Sequence, residues 1–328
     1  VISTNLISSG LVLIGAVKRI DGDENNTTVT EFIILGLTDN PMLCAIFFVF
    51  FLAVYIVTIP GNISIILLIQ SSPQLHTLMY LFLSHLASVD IGYSISVTPI
   101  ILINFLREKT TIPVTGCIAQ LGSDVMFGTT ECFLLVTIGY LLSPALLHPN
   151  APSRLLPPTG SLLPGWMPER FVFYRLFDEP VLLGPNKINH FFCDLFPLLK
   201  LSCGHVYIAE ISPAISSASV LISTLFTIIV SYIYILHSIL KVCSTEGRKK
   251  AFSTCASHLT AVTLFYGTIL FVYVMPKSSY SADQVKVAFV IYTVVIPMLN
   301  PLIYSLRNKE VKEAMRKLRQ EHIGFPEL

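Results

Sequence analysis

Three carboxylic acids stand inside stretches of sequence that are otherwise nearly free of charge. Asp90 is the first charged residue after Asp39, and Asp124 and Glu131 interrupt a later apolar stretch. An ionisable side chain within an apolar helix is costly and usually faces the interior of a helix bundle or a water-filled cavity. The three acids are therefore candidates for binding a cation or for building a buried polar network.

Other chemistries lack the residue patterns that they require. The seven cysteines show no Cys-x-x-Cys spacing and no His/Cys cluster of zinc type, so we expect no metal site of that kind. The sequence contains no glycine-rich phosphate loop, no His-Glu-x-x-His and no Gly-x-Ser-x-Gly motif, which argues against an enzyme. A net charge of +1 gives no global field that would attract nucleic acid.

Composition indicates a membrane protein. Of the 328 residues, 53% are hydrophobic and only 12% are charged, whereas soluble domains carry about 25% charged residues. About 20 mostly apolar helical residues cross a bilayer core, and helices are the default because lipid offers no partner to an open backbone. The apolar stretches predict six spanning helices, at about 42–69, 78–104, 114–142, 211–240, 251–276 and 287–306.

The flanking residues predict an N-terminus outside the cell and a C-terminus inside. Overlapping glycosylation sequons begin at Asn25 and Asn26, just before the first span. Basic residues cluster at 248–250 and at 307–319, and positive charge favours the cytoplasmic side. Termini on opposite sides require an odd number of spans, so a seventh span has to lie between Tyr140 and Asn186.

The interval 141–183 does not resemble a spanning helix. It holds eight of the chain's 20 prolines and six charged residues. Each interior proline removes a helix hydrogen bond and costs about 3 kcal/mol in water. The sequence therefore predicts an all-α, multi-pass transmembrane helical bundle whose fourth helix is doubtful or absent.

Five motifs line up with one family. They are TEFIILGL at 30–37, GN at 61–62, LHTLMY at 75–80, KAFSTCASHL at 250–259 and PMLNPLIYSLRN at 297–308. The last two are long and are rarely found outside odorant receptors. Over roughly 25–140 and 184–320 the chain resembles an odorant (olfactory) receptor of the rhodopsin-like G-protein-coupled class.

The resemblance implies a seven-helix receptor in the plasma membrane. Such a receptor binds a small volatile odorant from outside and activates a heterotrimeric stimulatory G protein inside, and it is not an enzyme. Membrane lipid is a further expected partner, because 309–319 has the pattern of a basic amphipathic helix, and each basic residue near an anionic surface contributes about 1 kcal/mol. The alternative for 309–319 is a frayed, charged tail. No nucleic acid is expected.

The resemblance also implies a disulfide and an unpaired thiol. The family joins the residues that match Cys117, at the outer start of the third span, and Cys193, in the following outer loop. An extracellular compartment permits this bond. Cys203 should remain free, because Leu183 occupies the position of its usual partner.

Further residues match the family's polar cluster between the first, second, third and seventh spans. These are Asn62, Asp90, Glu131 and Asn300. In related receptors this cluster can hold a sodium ion, the one bound group that we expect; the alternatives are a purely structural network or a protonated carboxyl without an ion. The family's activation motif in the last span corresponds here to Pro297, Asn300, Pro301 and Tyr304.

Candidate ligand contacts follow from Asp124. It lies seven residues after Cys117, two helical turns further on the same face, where amine receptors of the wider class carry an acid that pairs with the ligand. Odorant receptors more often have an apolar residue there, so we favour an acid that pairs with nothing. Gly128, one turn deeper, could widen the floor of the pocket. On the sixth span, Tyr266, Ile269 and Tyr273 share a helical stripe that lines the same cavity or only packs.

The chain departs from the family in two segments. Residues 1–24 precede the family's usual start and are interpreted as a disordered extension, 25–320 as the receptor domain and 321–328 as a tail. After Tyr140 the family's Asp-Arg-Tyr triplet is absent, as a frameshifted or misjoined coding segment would produce.

Two functional hypotheses therefore stay open. One is a working odorant receptor. The other is an inactive, pseudogene-type relic that does not signal and is retained in the endoplasmic reticulum, because it lacks the triplet and a seventh span. Without that span, Cys193 would lie on the cytoplasmic side. The last three spans would then be inverted, against the bias of positive charge for the cytoplasm. A transporter or channel is a remote alternative, since the halves of the chain show no internal repeat.

Overall fold

The structure is a computed structural model. It describes residues 30–38, 40–107, 109–147, 186–194, 197–198, 207–241, 244–274, 282–307 and 311–317. Several sequence predictions fall outside these residues: the extension at 1–24, the sequons at Asn25 and Asn26, the interval 148–183, the free Cys203 and the tail at 321–328.

Six helices of the described chain are long and apolar enough to cross a membrane, and they match the six predicted spans. The first five are α1 (Pro41–Ser71), α2 (Leu78–Leu106), α3 (Val114–Leu147), α4 (Tyr207–Lys241) and α5 (Thr245–Val274). The last span consists of α6 (Ala282–Val290), a π-helical turn (Ile291–Val295) and α7 (Ile296–Arg307). The prediction of a helical, multi-pass bundle is therefore confirmed.

Local sequence explains where α1 begins. The side-chain oxygen of Asn40 accepts hydrogen bonds from the backbone N–H groups of Met42 and Leu43. Pro41 occupies the first helical position, where its missing N–H costs nothing and its fixed φ suits a helix. A short 3₁₀ turn, Pro73–Leu75, then joins α1 to α2.

The third helix lies at the centre of the bundle. α3 packs against α2, α4 and α5, whereas α7 packs against α1, α2 and α5. The largest buried cluster draws on α1, α2, α3, α4, α5 and α7 and includes Leu86, Leu135, Ile235 and Phe265. The outward faces of α1 and α4 keep large apolar side chains exposed, as a lipid-facing surface requires; these include Ile46, Val49, Phe50, Ile222, Phe226 and Ile229.

A small sheet closes one end of the bundle, and the sequence did not predict it. Strand β1 (Glu31–Ile34) lies between β2 (Thr110–Pro113), its antiparallel neighbour, and β3 (Lys187–Ile188), its parallel neighbour. Phe32 pairs with Ile112 and Ile34 with Ile188, so the inward side chains of all three strands form one buried apolar cluster. Strands of two to four residues, paired across the whole chain, leave no periodic signal in the sequence.

The pairing of the three strands shows which helices start at the same face of the bundle. Because β1 precedes α1, β2 precedes α3 and β3 precedes α4, all three helices start at the same face. At the opposite face, Lys317 Nζ donates to Gln74 Oε1 at 3.2 Å, which joins the C-terminal residues to the α1–α2 connection. The end of α3 at Leu147 and the start of the described loop at Asn186 therefore lie at opposite faces. Cys193 lies at the same face as Cys117, so the described residues do not have the inverted arrangement of the last three spans that was expected for a chain without a seventh span.

Replacing Gly36 tests how much the conformation of the N-terminal segment contributes to stability. It has φ of +80°, a conformation that favours glycine, and a Cβ there would overlap the side chain of Asn104. Its carbonyl accepts a hydrogen bond from Lys286 Nζ at 3.0 Å. We expect Gly36→Ala to lower the free energy of unfolding by about 1–3 kcal/mol, measured as a lower melting temperature of the purified protein in detergent.

The matched control is Gly122→Ala. Gly122 lies inside α3, and a Cβ there meets no atom within 4 Å, so alanine should leave the melting temperature unchanged or raise it. Equal melting temperatures for the two variants would contradict the role of Gly36.

Candidate functional site

A disulfide ties the outer loop to the start of α3. Cys117 and Cys193 are bonded, with their Cα atoms 5.4 Å apart, and both are fully buried. Cys117 follows β2 and Cys193 follows β3, so the bond and the sheet hold the same two segments together. This is the pairing that the resemblance implies.

Gln120 reinforces that connection, although the sequence analysis did not single it out. Its Oε1 accepts a hydrogen bond from the backbone N–H of Cys193 at 3.0 Å, and its Nε2 donates to the carbonyl of Ser96 on α2 at 3.1 Å. One buried amide therefore links α2, α3 and the outer loop. A polar residue three positions after Cys117, at the outer start of a predicted span, was the only available signal.

His190, Phe191 and Phe192, beside Cys193 in the outer loop, pack with Phe289 at the outer end of the bundle. These four residues are called the aromatic roof below. The imidazole of His190 stacks on Phe191, with ring centroids 4.5 Å apart, and meets Phe192 and Phe289 edge-on at 4.7 and 4.9 Å. Burial, and then the positive charge of Lys286, lower the pKa of His190 to about 3. The imidazole is therefore neutral at physiological pH and belongs to the apolar roof.

Asp124 lies below this roof and has a partner. Its carboxylate accepts a hydrogen bond from the hydroxyl of Tyr93 on α2, so the favoured expectation of an acid that pairs with nothing is wrong. The ring of Tyr93 contacts Phe127 and Tyr292, with centroids 6.3 and 5.6 Å away. Asp124 is thus held in an aromatic cluster between α2, α3 and the π-helical turn.

The other candidate ligand contacts are largely packed. A Cβ on Gly128 would lie 2.6 Å from the hydroxyl oxygen of Tyr292, so this glycine leaves room for that tyrosine. Tyr266 is buried and donates to Thr224 Oγ1 at 2.9 Å. Ile269 is also buried in the core, and the side chain of Tyr273 lies outside the described part of the chain.

Deeper in the bundle, Asn300 joins the two remaining acids. Its Nδ2 lies 3.2 and 3.0 Å from the two carboxylate oxygens of Asp90 and donates to them. Glu131 interacts with the same amide and with Asp90. Asn62 bonds to the backbone and not to the acids: its Nδ2 donates to the carbonyls of Thr58 and Pro297, each at 3.0 Å. The structure thus brings the four predicted polar residues together, but Asn62 ties α1 to α7 through the backbone.

A small cavity adjoins this polar cluster. Its volume is about 10 Å³, room for the centre of one water-sized particle, and the residues around it include Asn62, Asp90, Asn300, Pro301 and Tyr304. The atoms that face the cavity are apolar. The hydroxyl of Tyr304 is buried and has no hydrogen-bond partner among the described residues. Carboxylate and amide oxygens, the ligands that a small hard cation prefers, belong to the residues around the cavity but do not form its wall.

A second buried network lies nearer the inner end of the bundle. His258 Nε2 donates to the carbonyl of Leu135 at 3.0 Å, so its Nδ1 accepts from the Tyr232 hydroxyl at 2.7 Å. These residues come from α5, α3 and α4. A Cβ on Gly139 would lie 3.2 Å from the imidazole, so the glycine permits the close approach of α5 to α3. In the sequence, His258 stands out only as part of the motif at 250–259.

The predicted basic amphipathic helix is present where the chain is described. Residues 311–317 are helical, with Val311 and Ala314 buried and Lys312, Arg316 and Lys317 exposed. The exposed cations lie at the face opposite the sheet.

Comparison with known proteins decides the family. A family model described as "Olfactory receptor" matches residues 51–322. The mouse protein Olfactory receptor 5P4 is 72% identical over 310 residues, which cover 92% of this chain and 99% of the relative. Human Olfactory receptor 5P3 is 57% identical over 302 residues, which cover 90% and 97%.

The chain belongs to the olfactory receptor family. It is a rhodopsin-like G-protein-coupled odorant receptor in type, a multi-pass membrane protein and a receptor rather than an enzyme. The family match runs across the divergent interval 141–183, and the family implies a seven-helix bundle.

Thiol mapping tests the cysteine assignments. Under non-reducing conditions in detergent we expect a Cys117–Cys193 peptide pair, whereas Cys44, Cys132 and Cys255 form no disulfide. Cys203 should react as a free thiol after denaturation. Reduction should separate the paired peptides, and recovery of Cys203 in an intramolecular bridge would contradict its assignment.

The polar cluster is tested at Asp90. We expect Asp90→Ala to reduce surface expression or signalling, because it removes both carboxylate oxygens that accept from the buried Asn300 amide, a loss of about 1–3 kcal/mol. Asp90→Asn, which keeps one acceptor oxygen, should be milder. Both are compared with the unaltered protein by surface staining of an N-terminally tagged receptor, and unaltered behaviour of the alanine variant would show that the acid is dispensable.

Proposed function

We propose that this receptor binds a small volatile odorant between the aromatic roof and the polar cluster, and that it couples to a stimulatory G protein at the plasma membrane. The proposal rests on two layers of side chains, one nearer the outer end of the bundle and one deeper. The same three helical spans contribute to both layers. The outer layer contains Tyr93, Asp124 and Tyr292, and the inner layer contains Asp90, Glu131 and Asn300.

Each helical span joins the two layers over a short distance. Tyr93 and Asp90 are about one turn apart on α2, and Asp124 and Glu131 are about two turns apart on α3. On the last span, Tyr292 lies in the π-helical turn and Asn300 about two turns further on. A ligand that displaces Tyr292 would act on Asn300 through α7, and π-helical turns of this kind are frequent at functional sites.

The inner layer supports a further part of this proposal, a bound sodium ion. Asp90, Glu131 and Asn300 would supply its oxygen ligands beside the cavity, with the unpartnered Tyr304 hydroxyl available at the same place. When bound, the ion would offset the paired negative charges. A proton on one of the two carboxyls would do the same, and the polar network would then be structural.

The orientation is supported by both ends of the bundle. The disulfide and the sheet lie at one face, where an oxidising exterior permits the bond. The exposed cations of 311–317 lie at the other, where positive charge favours the cytoplasm and anionic lipid. We therefore place the N-terminus outside and the G protein at the face that carries Lys317.

A second candidate function, a silent receptor relic, is favoured by one observation. α3 continues beyond Tyr140 to Leu147 without an acid or a base, so the family's Asp-Arg-Tyr triplet is missing from the inner end of the helix. The arginine of that triplet is the cytoplasmic contact that the resemblance associates with G-protein coupling, and none of residues 141–147 carries an equivalent charge.

Cell-surface staining and a cAMP reporter distinguish the two functions. The proposed function predicts surface staining of an N-terminally tagged chain and a dose-dependent cAMP rise with a broad panel of odorants. A companion chain, in which 141–183 is replaced by a family-type third-helix end and fourth helix, serves as the repaired control.

The outcomes separate clearly. Silence of the natural chain with recovery in the repaired chain would support the relic. Silence of both chains at the cell surface would overturn the proposed coupling, whereas a cAMP response of the natural chain would exclude the relic.

A further inference from the structure

The carboxylate of Asp124 differs from the other two acids of the bundle in what surrounds it. Asp90 and Glu131 share the amide of Asn300. Among the described residues, Asp124 has one hydrogen-bond donor, the hydroxyl of Tyr93, and no cationic side chain acts on it. A single neutral hydroxyl compensates only partly for removing an ionised carboxylate from water.

Lys286, a cation at the outer end of the bundle, is engaged elsewhere. Lys286 Nζ donates to the carbonyl of Gly36 at 3.0 Å and so belongs to the contact between α6 and the N-terminal segment. Gln120, one turn above Asp124 on α3, is also occupied, by Cys193 and Ser96. Lys286 and Gln120 therefore do not offset the negative charge of the Asp124 carboxylate.

The neighbours of Asp124 are aromatic. The ring of Tyr93 lies 6.3 Å from Phe127 and 5.6 Å from Tyr292, and Tyr292 lies 5.6 Å from Phe265. Aromatic faces attract a cation within about 6 Å of the ring centroid, and the attraction grows when water is excluded. One carboxylate among several rings is the arrangement that recognises a small organic cation.

We infer that Asp124 makes this receptor selective for odorants that carry a protonated amine, with the ammonium group taking the place of the Tyr93 hydroxyl on the carboxylate. The inference rests on the proposed odorant site and names the chemical class of its ligand. The ammonium group adds the attraction of a full positive charge, which the neutral Tyr93 hydroxyl lacks, and the apolar part of the ligand packs on the rings of Tyr93 and Tyr292.

Ligand-induced thermal stabilisation of the purified full-length chain tests this without requiring coupling. The probes are two matched pairs at equal millimolar concentration: benzylamine with benzyl alcohol, and cyclohexylamine with cyclohexanol. A ligand that binds the folded state raises the melting temperature according to its affinity. We expect the amines to raise it and the alcohols of the same skeleton to have little effect.

Two variants and one control locate the effect. Asp124→Asn should weaken amine binding by about tenfold or more, because it removes the charge but keeps the shape. Tyr93→Phe should strengthen amine binding, because it removes the competing hydroxyl while keeping the ring. Ser88→Ala, on the exposed face of α2 where the hydroxyl donates only to the carbonyl of Ser84, should behave as the unaltered chain.

Either variant alone can overturn the inference. Equal stabilisation by amines and alcohols, amine binding that persists in Asp124→Asn, or amine binding that is unchanged or weakened in Tyr93→Phe would each exclude amine recognition by Asp124. If Asp124→Asn does not fold, Tyr93→Phe decides. A cAMP response to neutral odorants without amine-specific stabilisation would overturn this inference and leave the proposed function intact, whereas amine-specific stabilisation without cAMP would support it and count against coupling.

Discussion

Two hydrogen bonds from the Asn300 amide to the Asp90 carboxylate hold the centre of the bundle. In a bilayer no water is available to satisfy a buried polar group, so each such group needs a partner within the protein. The pairing fixes α7 against α2, and Glu131 on α3 shares the same amide. One polar side chain therefore constrains how three helices are rotated about their axes.

This constraint explains why the two layers have different chemistry. The inner layer is a connected network, whose carboxylates meet an amide donor and a cavity the size of one water. The outer layer leaves a carboxylate with one hydroxyl among aromatic rings, a less complete arrangement that a ligand could improve. A buried network that is fully satisfied rigidifies its surroundings, and a partly satisfied one is open to a new partner.

The ends of the bundle are held by backbone and covalent bonds instead. At the outer face, a strand from the N-terminus pairs with segments before α3 and α4, and the Cys117–Cys193 bond secures the second of these. Nearer the inner face, the imidazole of His258 connects α5 to α3 and α4. The sheet and disulfide on one side of the two layers, and the His258 contacts on the other, hold the helices together. A ligand can therefore act on the side chains between them.

The sequence by itself determined the spans, their number among the described residues and the presence of acids inside them. These follow from composition and length, because about 20 apolar residues have to cross the bilayer and hardly any charge is tolerated among them. The motifs of the last two spans also predicted the family, which the match over 51–322 confirmed. For the interval 141–183 the sequence predicted no spanning helix; residues 141–147 continue α3, and 148–183 lie outside the described residues.

Only the tertiary structure decided which polar groups meet. Asp124 and Tyr93 are 31 residues apart, and Asn300 and Asp90 are 210 apart. The period of a helix places a residue on a face but does not say which neighbouring helix that face meets. The same reason explains the missed sheet, the Gln120 bridge and the backbone partners of Asn62: each depends on how the helices are rotated and stacked, and that is set by packing many side chains at once.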